Sequence, residues 1–428
     1  DIVFGDWSSD VCSSDLISGL ASISMPNCTK PRRAHRRSRK SKCRQSCAAG
    51  VAILYCPEIM QTSRLAVFHS KDRPITYETV VVPPLREGEI LVRNEYTTLC
   101  RSDLTTFSGK RIEKTPTILG HEIVGRIEEL GPDAPTQDGR GARLRVGDRV
   151  TWAIYASDPC SHLARRGIPQ KGEGLFKYGH EQIRPDSTLH GGLAEYCILR
   201  RHTPVIHVDQ QVPLTVSALI NCSVATVAGS LRLAGEIKDQ NVVIAGAGML
   251  GVVACAMSRN AGATRVIAVD IDDARLAAAR EFGADEVVKL SPTQPLKEQL
   301  AARVPGEAVT VALDFSGVSG TMEALLGALG TGGILVLVGA VSPQRPLQIN
   351  AEQVVRKLHT ITGLHNYNLP DLVAAVEFIE HNHTRFPFAR LVHDKFDLDS
   401  VNEAFNYALV SGRSEEHTSE LQSPNTTS

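Results

Sequence analysis

One stretch of the chain, VVIAGAGMLGVVACAMSRNAGATRVIAVD at 242–270, constrains the fold more strongly than any other. An apolar strand runs into Gly246, Gly248 and Gly251, an alanine-rich helix follows, and a second apolar strand ends at Asp270. In such a turn the first glycine allows a tight bend, the second admits a pyrophosphate close to the backbone, and the third lets the helix pack on the strand. The helix N-terminus then offers free N–H groups and a positive dipole to the phosphates. The segment predicts a dinucleotide-binding α/β unit; the alternative is a glycine-rich turn in a domain that binds nothing.

The acidic residue at the end of the second strand predicts which dinucleotide binds. A carboxylate at the position of Asp270 hydrogen-bonds the adenosine ribose and repels a 2′-phosphate, which favours NAD over NADP. Arg275, on the following helix, either reaches the ribose or a phosphate or is a solvated arginine on the helix face.

Apolar runs divide the rest of the chain by their length and spacing. Between residues 60 and 222, short runs broken by Gly, Pro and charged residues predict a mostly β unit. Between 223 and 359, apolar strands alternate with helical segments, which predicts buried parallel strands with crossover helices. Residues 360–412 return to a mixed pattern. We therefore expect an α/β fold in which a doubly wound parallel sheet of the Rossmann type follows a β unit.

The charge balance and the apolar runs limit the classes of partner. The chain has 428 residues and a net charge of −1, which argues against general nucleic-acid binding. Its longest uncharged apolar run, 241–257, is glycine-rich and shorter than the ~20 residues that a membrane span needs. We expect neither a nucleic acid nor a membrane as partner.

The cysteines indicate a reducing compartment. Of the ten present, five precede Met60. The other five are scattered and odd in number, which argues against a secreted disulfide framework and favours a cytoplasmic protein. They are Cys100, Cys160, Cys197, Cys222 and Cys255.

One short DNA sequence accounts for the amino-acid sequences at both ends of the chain. Residues 6–16, DWSSDVCSSDL, and residues 413–423, RSEEHTSELQS, are encoded by opposite strands of the same DNA string. We interpret 1–16 and 413–428 as translated sequencing adapter and exclude both from fold reasoning. Residues 17–59 are rich in arginine and serine, which suits a mitochondrial transit peptide or an upstream untranslated region read in frame. We favour the second reading and expect a disordered leader.

Two cysteines and a histidine form a candidate metal site. Cys100 lies in TTLCRSDLTTFSG, His121 in ILGHEIVG and Cys222 in LINCSVATVAGS. A catalytic zinc takes about three protein ligands and leaves one position for water or substrate. Asp103 is placed to accept from the other ring nitrogen of His121 and to fix its tautomer. Individually the residues also fit other roles, because a lone cysteine is usually a small buried hydrophobe and a lone histidine is often hydrogen-bonded filler.

The region from about 64 to 412 resembles the zinc-dependent medium-chain alcohol dehydrogenases. The match covers C-x-S-D at 100–103, G-H-E at 120–122, the cysteine with Thr226 four residues on, GAGMLG, Asp270 and LDFSGVSG. The resemblance implies a GroES-like β catalytic domain at 60–222 and 360–412, split by a Rossmann NAD-binding domain at 223–359. It also implies that Cys100, His121 and Cys222 are the zinc ligands.

The same resemblance implies roles for single residues. Glu122 would be the carboxylate beside the metal, and Ser102 the hydroxyl that receives the alcohol proton. The residues expected at the cofactor are Thr226 near the nicotinamide, Arg101 at the pyrophosphate, and Val338 and Gly339 where backbone reaches the carboxamide.

The chain departs from the family at two places. Many relatives hold a second, structural zinc on four close cysteines, but the corresponding stretch here, ASDPCSHLARRGIPQKGEG, keeps only Cys160. One thiol cannot close a four-coordinate site, so we expect no structural zinc. Several relatives finish the proton relay with a histidine where this chain has Thr105, so proton exit through Thr105 or directly to water stays open.

A second Gly-His-Glu, at 179–181, follows GIPQKGEGLFKY. This stretch resembles a subgroup associated with phosphonate breakdown. The alternative for His180 is a surface loop with a hydrogen-bonded histidine.

Together these features predict an enzyme that transfers hydride between an alcohol or polyol and NAD, with one catalytic zinc ion. The reverse reaction would reduce the corresponding carbonyl compound. Two other functions stay open: a zinc-free NAD(P)H-dependent reductase of the same superfamily, and a non-catalytic nucleotide-binding protein on this scaffold. Relatives form dimers or tetramers, so we also expect a homo-oligomer.

Overall fold

The computed structural model describes residues 60–291, 293–304, 308–392, 394–411 and 417–420. The predicted adapter segment 1–16 and leader 17–59 lie outside the described residues, as does most of 413–428. Two large sheets organise the described part, one of them parallel throughout and the other mainly antiparallel. The predicted α/β class is confirmed.

The N-terminal described part is the mostly β unit that the short apolar runs predict. Its elements are β1 (Thr62–Val67), β2 (Thr76–Val81), β3 (Ile90–Thr98), α1 (Arg101–Phe107), β4 (Glu122–Leu130), β5 (Arg149–Trp152), β6 (Tyr155–Ala156), α2 (His162–Arg165), β7 (Phe176–Lys177), β8 (Tyr196–Leu199) and β9 (Val205–His207). Strands β3, β4, β5 and β9 pair in that order, and β8 pairs with the first half of β3. Because β3 runs towards Cys100 and β4 begins directly after His121, this pair of strands brings two candidate ligands together.

A helical segment joins the two sheets. It consists of α3 (Leu214–Ser217), a π-helical turn (Ile220–Val224) and α4 (Ala225–Ala234). By length and composition the run Leu214–Ala234 could cross a membrane, but 72% of its most apolar window is buried inside the protein. Such burial is typical of the core helix of a globular domain.

Six parallel strands form the second sheet. Its elements are β10 (Asn241–Ala245), α5 (Met249–Asn260), β11 (Arg265–Asp270), α6 (Asp273–Glu281), β12 (Glu286–Lys289), α7 (Leu296–Ala301), β13 (Val309–Asp314), α8 (Ser319–Ala328), β14 (Leu329–Leu337), α9 (Ala351–Arg356) and β15 (Thr360–Gly363). The strand order β12-β11-β10-β13-β14-β15 is that of a doubly wound dinucleotide-binding sheet. The predicted Rossmann-type sheet is therefore confirmed.

Strand β10, in the middle of this sheet, is buried on both faces. Alternate residues of a strand point to opposite sides, and Val242 and Ile244 belong to one apolar cluster whereas Val243 and Ala245 belong to another. The continuous apolar run in the sequence follows from this two-sided burial, which crossover helices on both faces produce.

The parallel sheet extends beyond the boundary that we expected at residue 359. Strand β15 pairs in parallel with β14, so residues 360–363 complete the sheet. Helix α10 (Leu369–Asn382) then packs on α4, where the Arg232 guanidinium contacts the buried Asp371 carboxylate at 2.7 Å. The chain returns to the first sheet only at β16 (Asp394–Phe396), which α11 (Val401–Ser411) follows. The mixed sequence pattern after 360 did not reveal this division.

A short strand, β17 (His417–Glu420), lies in the segment that we interpret as adapter. It pairs antiparallel with the second half of β3, with Thr418 opposite Thr98, and in parallel with β16. An unpaired strand edge offers backbone N–H and C=O groups to any extended segment, whatever its side chains. The pairing therefore accounts for a strand here without a sequence signal for one.

The glycine-rich turn after β10 is built from close backbone contacts. Gly246 has φ +89°, a left-handed conformation that favours glycine. A Cβ on Gly251, in α5, would lie 1.9 Å from the carbonyl oxygen of Gly246. The helix can therefore approach the turn only with glycine at 251, as the sequence predicts.

We expect Gly251→Ala to destabilise the fold by about 1–3 kcal/mol, because the neighbouring atom is backbone and cannot move aside easily. Chemical denaturation of the purified variant measures the change. Gly327→Ala is the matched control, since a Cβ there meets nothing within 4 Å and α8 should gain roughly 0.5–1 kcal/mol. Equal stability of the two variants would contradict the packing described here.

Candidate metal centre and cofactor site

Cys100 is held at the beginning of a helix. It is the N-cap residue of α1, and its backbone N–H donates to Asp103 Oδ2 at 3.0 Å. The fully buried Asp103 carboxylate also accepts the backbone N–H of Gly120 through Oδ1, at 3.1 Å. One carboxylate thus connects the Cys100 segment to the His121 segment.

His121 faces the same carboxylate with its ring. Its Nδ1 lies 3.6 Å from Asp103 Oδ1, which is longer than a hydrogen bond. Nδ1 is buried and has no hydrogen-bond partner among the described residues. Asp103 is therefore placed as the acceptor that orients the imidazole, which leaves Nε2 to face the two thiols.

Cys222 lies in the π-helical turn. Such wide turns often occur at functional sites. The amide of its neighbour Asn221 donates to the carbonyl oxygens of His121 at 2.9 Å and Trp152 at 3.0 Å and accepts from the N–H of Ile123 at 3.2 Å. The turn is thus fixed to the strand that begins after His121.

Tyr367 supports this turn from the other sheet. Its hydroxyl donates to the carbonyl of Asn221 and accepts the N–H of Ile154 at 3.1 Å. Tyr367 follows β15 of the parallel sheet and is fully buried. The position of Cys222 therefore depends on contacts with both sheets.

The predicted ligands converge. One ligand atom from each of Cys100, His121, Glu122 and Cys222 lies within 4.8 Å of the others. The distance from Cys222 Sγ to His121 Nε2 is 3.6 Å. Tetrahedral zinc, with bonds of about 2.3 Å to sulfur and 2.0–2.1 Å to nitrogen, places two such atoms about 3.6 Å apart. The side chains therefore fit a zinc ion without rearrangement of this pair.

The charges in this cluster favour a cation. Burial alone would lower the pKa of His121, but the Asp103 carboxylate and the Cys100 sulfur raise it well above its usual value. Burial and the charge of Cys100 also raise the pKa of Glu122. A hydrogen bond from the Cys222 thiol stabilises the Cys100 thiolate and lowers the pKa of Cys100; the same bond raises the pKa of Cys222, which supplies the proton. A divalent ion would compensate this negative charge.

The Glu122 carboxylate is engaged on both oxygens. Thr98 Oγ1 donates to Oε2, and Ser223 Oγ donates to Oε1 at 3.3 Å. Neither hydroxyl was predicted from the sequence; their positions next to Leu99–Cys100 and Cys222 were the only signal. The two bonds hold the carboxylate beside the candidate metal ligands.

His180, from the second Gly-His-Glu, also lies at this site. Its ring centroid is 4.9 Å from that of His121, and its Nδ1 is 3.1 Å from Glu113 Oε1. The alternative given for His180, a hydrogen-bonded histidine in a surface loop, is correct in its hydrogen bond but not in its location, because His180 is only 9% exposed. The sequence analysis did not predict that His180 lies beside His121.

The predicted relay residues lie on α1, directly after Cys100. Ser102 is partly buried, and its carbonyl accepts the hydroxyl of Thr105 at 2.8 Å. Thr226 is partly exposed and lies about one helical turn beyond Cys222. The absence of a structural zinc stays a prediction. Cys160, the cysteine of that stretch, lies in the loop before α2.

At the dinucleotide turn, Asp270 ends β11 and points back at the glycines. Its Oδ2 accepts the N–H of Ala247 at 2.7 Å, and its Oδ1 accepts those of Ile271 and Asp272 at 2.7 and 3.0 Å. A carboxylate has about four acceptor sites, so one remains for a ribose hydroxyl. Arg275 lies on α6, where Asp272 caps its backbone N–H at 2.9 Å.

The remaining cofactor residues are placed less directly. Val338 and Gly339 follow β14 and both donate their N–H groups to the carbonyl of Asp314, at 3.0 and 2.9 Å. The Gly339 carbonyl accepts the N–H of Val341 at 2.9 Å, so the Val338 carbonyl is the group left to meet a carboxamide. Arg101 is exposed at the beginning of α1, close in sequence to Cys100.

Comparison with protein families gives two matches. A model described as the alcohol dehydrogenase GroES-like domain matches residues 86–210, and one described as zinc-binding dehydrogenase matches 250–381. The chain is 27% identical over 355 residues to the 5-exo-hydroxycamphor dehydrogenase of Pseudomonas putida, covering 81% of this chain and 95% of that protein. It is 28% identical over 359 residues to an alcohol dehydrogenase of Geobacillus stearothermophilus, covering 82% and 98% respectively.

Solved structures resemble the fold. An alcohol dehydrogenase from Thermotoga maritima superposes with a TM-score of 0.78 at 24% identity, covering 85% of this chain and all of that one. An alcohol dehydrogenase zinc-binding domain protein from Burkholderia ambifaria gives a TM-score of 0.72 at 25% identity, with 85% and 100% coverage. These similarities extend over both sheets.

We expect Asp103→Asn to lower the affinity for zinc about 10–100-fold, because an amide cannot accept two backbone N–H groups and still offer an acceptor to His121 Nδ1. Competition with a chromophoric chelator measures the affinity. Asp138→Asn is the control, since that buried carboxylate also accepts backbone N–H groups, from Arg140 at 2.8 Å and Ala142 at 2.9 Å, but is not one of the clustered ligands. Unchanged zinc affinity in Asp103→Asn would contradict the orienting role.

Proposed function

Because this chain belongs to the zinc-dependent medium-chain alcohol dehydrogenase family, we propose that it oxidises an alcohol, or reduces the corresponding carbonyl compound, with NAD as hydride carrier and zinc as Lewis acid. The observation that carries the proposal is the convergence of Cys100, His121, Cys222 and the Glu122 carboxylate within 4.8 Å. Two sulfurs and an imidazole are a ligand set that leaves a fourth zinc position open for substrate.

Zinc, when bound, would make the alcohol proton more acidic, and NAD would accept hydride. The protein's own task is to take the proton away and to orient the reactants. We assign Ser102 Oγ as the first proton acceptor because it stands two residues from Cys100 on α1. Thr105 donates to the Ser102 carbonyl, which leaves lone pairs on Thr105 Oγ1 as the next acceptor on a path to water.

The buried polar groups around the ligands keep this arrangement in one geometry. Asp103 orients His121, and the bonds from Thr98 and Ser223 restrain Glu122. Asn221 connects the π-helical turn to the His121 backbone. Preorganised groups need little rearrangement during reaction, which is a main source of catalytic rate.

Two features support NAD as the cofactor. Gly246, Gly248 and Gly251 form the turn between β10 and α5, where a pyrophosphate could approach the helix N-terminus. Asp270 at the end of β11 places negative charge beside this turn, where a 2′-phosphate would be repelled.

We expect Cys222→Ala to lose bound zinc and to lower the rate of NADH formation at least about 100-fold, since Lewis-acid stabilisation is worth several kcal/mol. Metal analysis and an absorbance assay on the same preparation measure both. Cys255→Ala, which removes a buried thiol from α5, is the control and should keep zinc and activity.

Three results would overturn parts of the proposal. Full activity of Cys222→Ala with zinc retained would reject the ligand assignment. Activity of metal-free wild-type protein would favour the zinc-free reductase. NADH binding without turnover on any alcohol or aldehyde of a broad panel would favour a non-catalytic nucleotide-binding protein.

We expect the wild-type protein to prefer NAD, and Asp270→Asn to lower the ratio of kcat/KM for NAD to that for NADP about tenfold, because the amide no longer repels a 2′-phosphate. The amide also loses an acceptor for backbone N–H groups, but this loss acts on both cofactors and leaves the ratio as the readout. Steady-state kinetics with both cofactors test this. Asp273→Asn, an exposed neighbour paired with Lys289, should leave the ratio unchanged. A wild-type preference for NADP would contradict the role given to Asp270.

A further inference from the structure

A group of basic side chains borders the candidate metal ligands at the junction of the two sheets. We call it the basic rim: Arg111, Lys171, Lys177 and His365. Lys171 and Lys177 come from the segment around β7 of the mostly β unit, whereas His365 follows β15 of the parallel sheet. Lys171 Nζ lies 2.6 Å from His365 Nδ1, so the rim spans the junction.

Two chains of contacts connect the basic rim to the metal ligands. The first runs through Glu113, which pairs with Arg111 at 2.7 Å and with His180 at 3.1 Å, and the His180 ring packs against His121.

The second chain starts at Lys177, whose Nζ donates to Asn366 Oδ1 at 3.2 Å. The next residue, Tyr367, donates to the carbonyl of Asn221, and Asn221 precedes Cys222. Lys177 is therefore connected to the Cys222 segment through Asn366, Tyr367 and Asn221.

The two lysines of the rim lack a countercharge. Neither ammonium group lies within 4.0 Å of a carboxylate in the described part of the chain. Glu113 and Glu181 are the acidic groups that raise the pKa of Lys177, and each is paired with another cation: Glu113 with Arg111, and Glu181 with Lys114 at 3.9 Å.

Electrostatic effects agree with an uncompensated positive region. Burial lowers the pKa of Lys177, and the neighbouring Lys171 and Arg111 lower it further. Burial, followed by the charges of Lys177, Lys171 and Arg111, lowers the pKa of His365 to about 4. With its pKa lowered in this way His365 is uncharged near pH 7, so the positive charge of the rim comes from Arg111, Lys171 and Lys177. These cations repel one another, and a bound anion would reduce that repulsion.

We propose that the substrate alcohol carries an anionic group, a carboxylate, phosphate or phosphonate, and that Lys171 and Lys177 bind this group while the hydroxyl lies at the metal. The proposal rests on the proposed dehydrogenase function and names its substrate class. Two ammonium groups offer point charges to the oxygens of any of these anions. Charge, and not shape, would then select the substrate.

Matched substrates test the proposal with the zinc-loaded protein and NAD. The pair 3-hydroxypropanoate and 3-hydroxypropanamide differs in charge at nearly equal size. The pair 2-hydroxyethylphosphonate and its dimethyl ester repeats the comparison for a phosphonate, and 2-hydroxyethyl phosphate adds the phosphate. We expect kcat/KM for the charged member to exceed that for the neutral member at least about tenfold, because hydrogen bonds to charged groups are stronger than those to neutral groups.

Variants then assign the preference to the rim. The double variant Lys171→Gln with Lys177→Gln should remove the preference for the anion while changing kcat/KM for the neutral member less than about twofold. Lys177→Arg keeps the charge and should retain most of the preference. Lys71→Gln, which removes an exposed lysine paired with Asp72 at 2.9 Å, should have no effect. Equal melting temperatures exclude a folding defect.

The outcomes separate this proposal from the dehydrogenase function. Oxidation of neutral alcohols with no preference for the charged members, or a preference that survives the double variant, would overturn the anion site and leave the dehydrogenase in place. Calorimetry with 3-hydroxypropanoate measures binding even if the protein oxidises no alcohol. If no alcohol is oxidised but this binding is lost in the double variant, the anion site stands and the dehydrogenase function falls.

Discussion

Two thiols, an imidazole and a carboxylate lie within 4.8 Å of one another and could hold a metal ion. The rest of the site is arranged around this convergence. Cys100 is placed by a helix N-cap, His121 by the beginning of β4, and Cys222 by a π-helical turn. Since each ligand residue comes from a different element, the ligand geometry exists only while the mostly β unit and the helical segment keep their relative position.

That relative position is fixed by a few buried hydrogen bonds. Asn221 joins the π-helical turn to His121 and Trp152, and Tyr367 joins the same turn to the chain that leaves the parallel sheet. The sheet that would hold the dinucleotide and the sheet that holds the metal ligands therefore share one set of contacts. The proposed hydride transfer would need two reactants in a fixed geometry, and these contacts would help to supply it.

The surroundings of the ligands combine charges of opposite sign. The ligand cluster includes the Asp103 carboxylate and the Cys100 sulfur, which raise the pKa of His121, whereas the basic rim carries the cations Arg111, Lys171 and Lys177. Glu113 and His180 lie between the two, with hydrogen bonds that reach the rim and a ring contact that reaches His121. Such a division would attract an anionic alcohol and orient its hydroxyl away from the lysines, towards the metal.

The sequence by itself determined the elements whose signal is local. The run of Gly246, Gly248 and Gly251 between two apolar strands predicted the parallel sheet, because close backbone contacts admit only glycine there. Cys100, His121 and Cys222 were found from short motifs and a family resemblance, since metal chemistry restricts which side chains serve. Only the tertiary structure decided that the parallel sheet continues to Gly363, that His180 packs against His121 and that Lys171 meets His365. These features depend on contacts between segments far apart in the chain, and periodicity and spacing describe only what neighbours in sequence do.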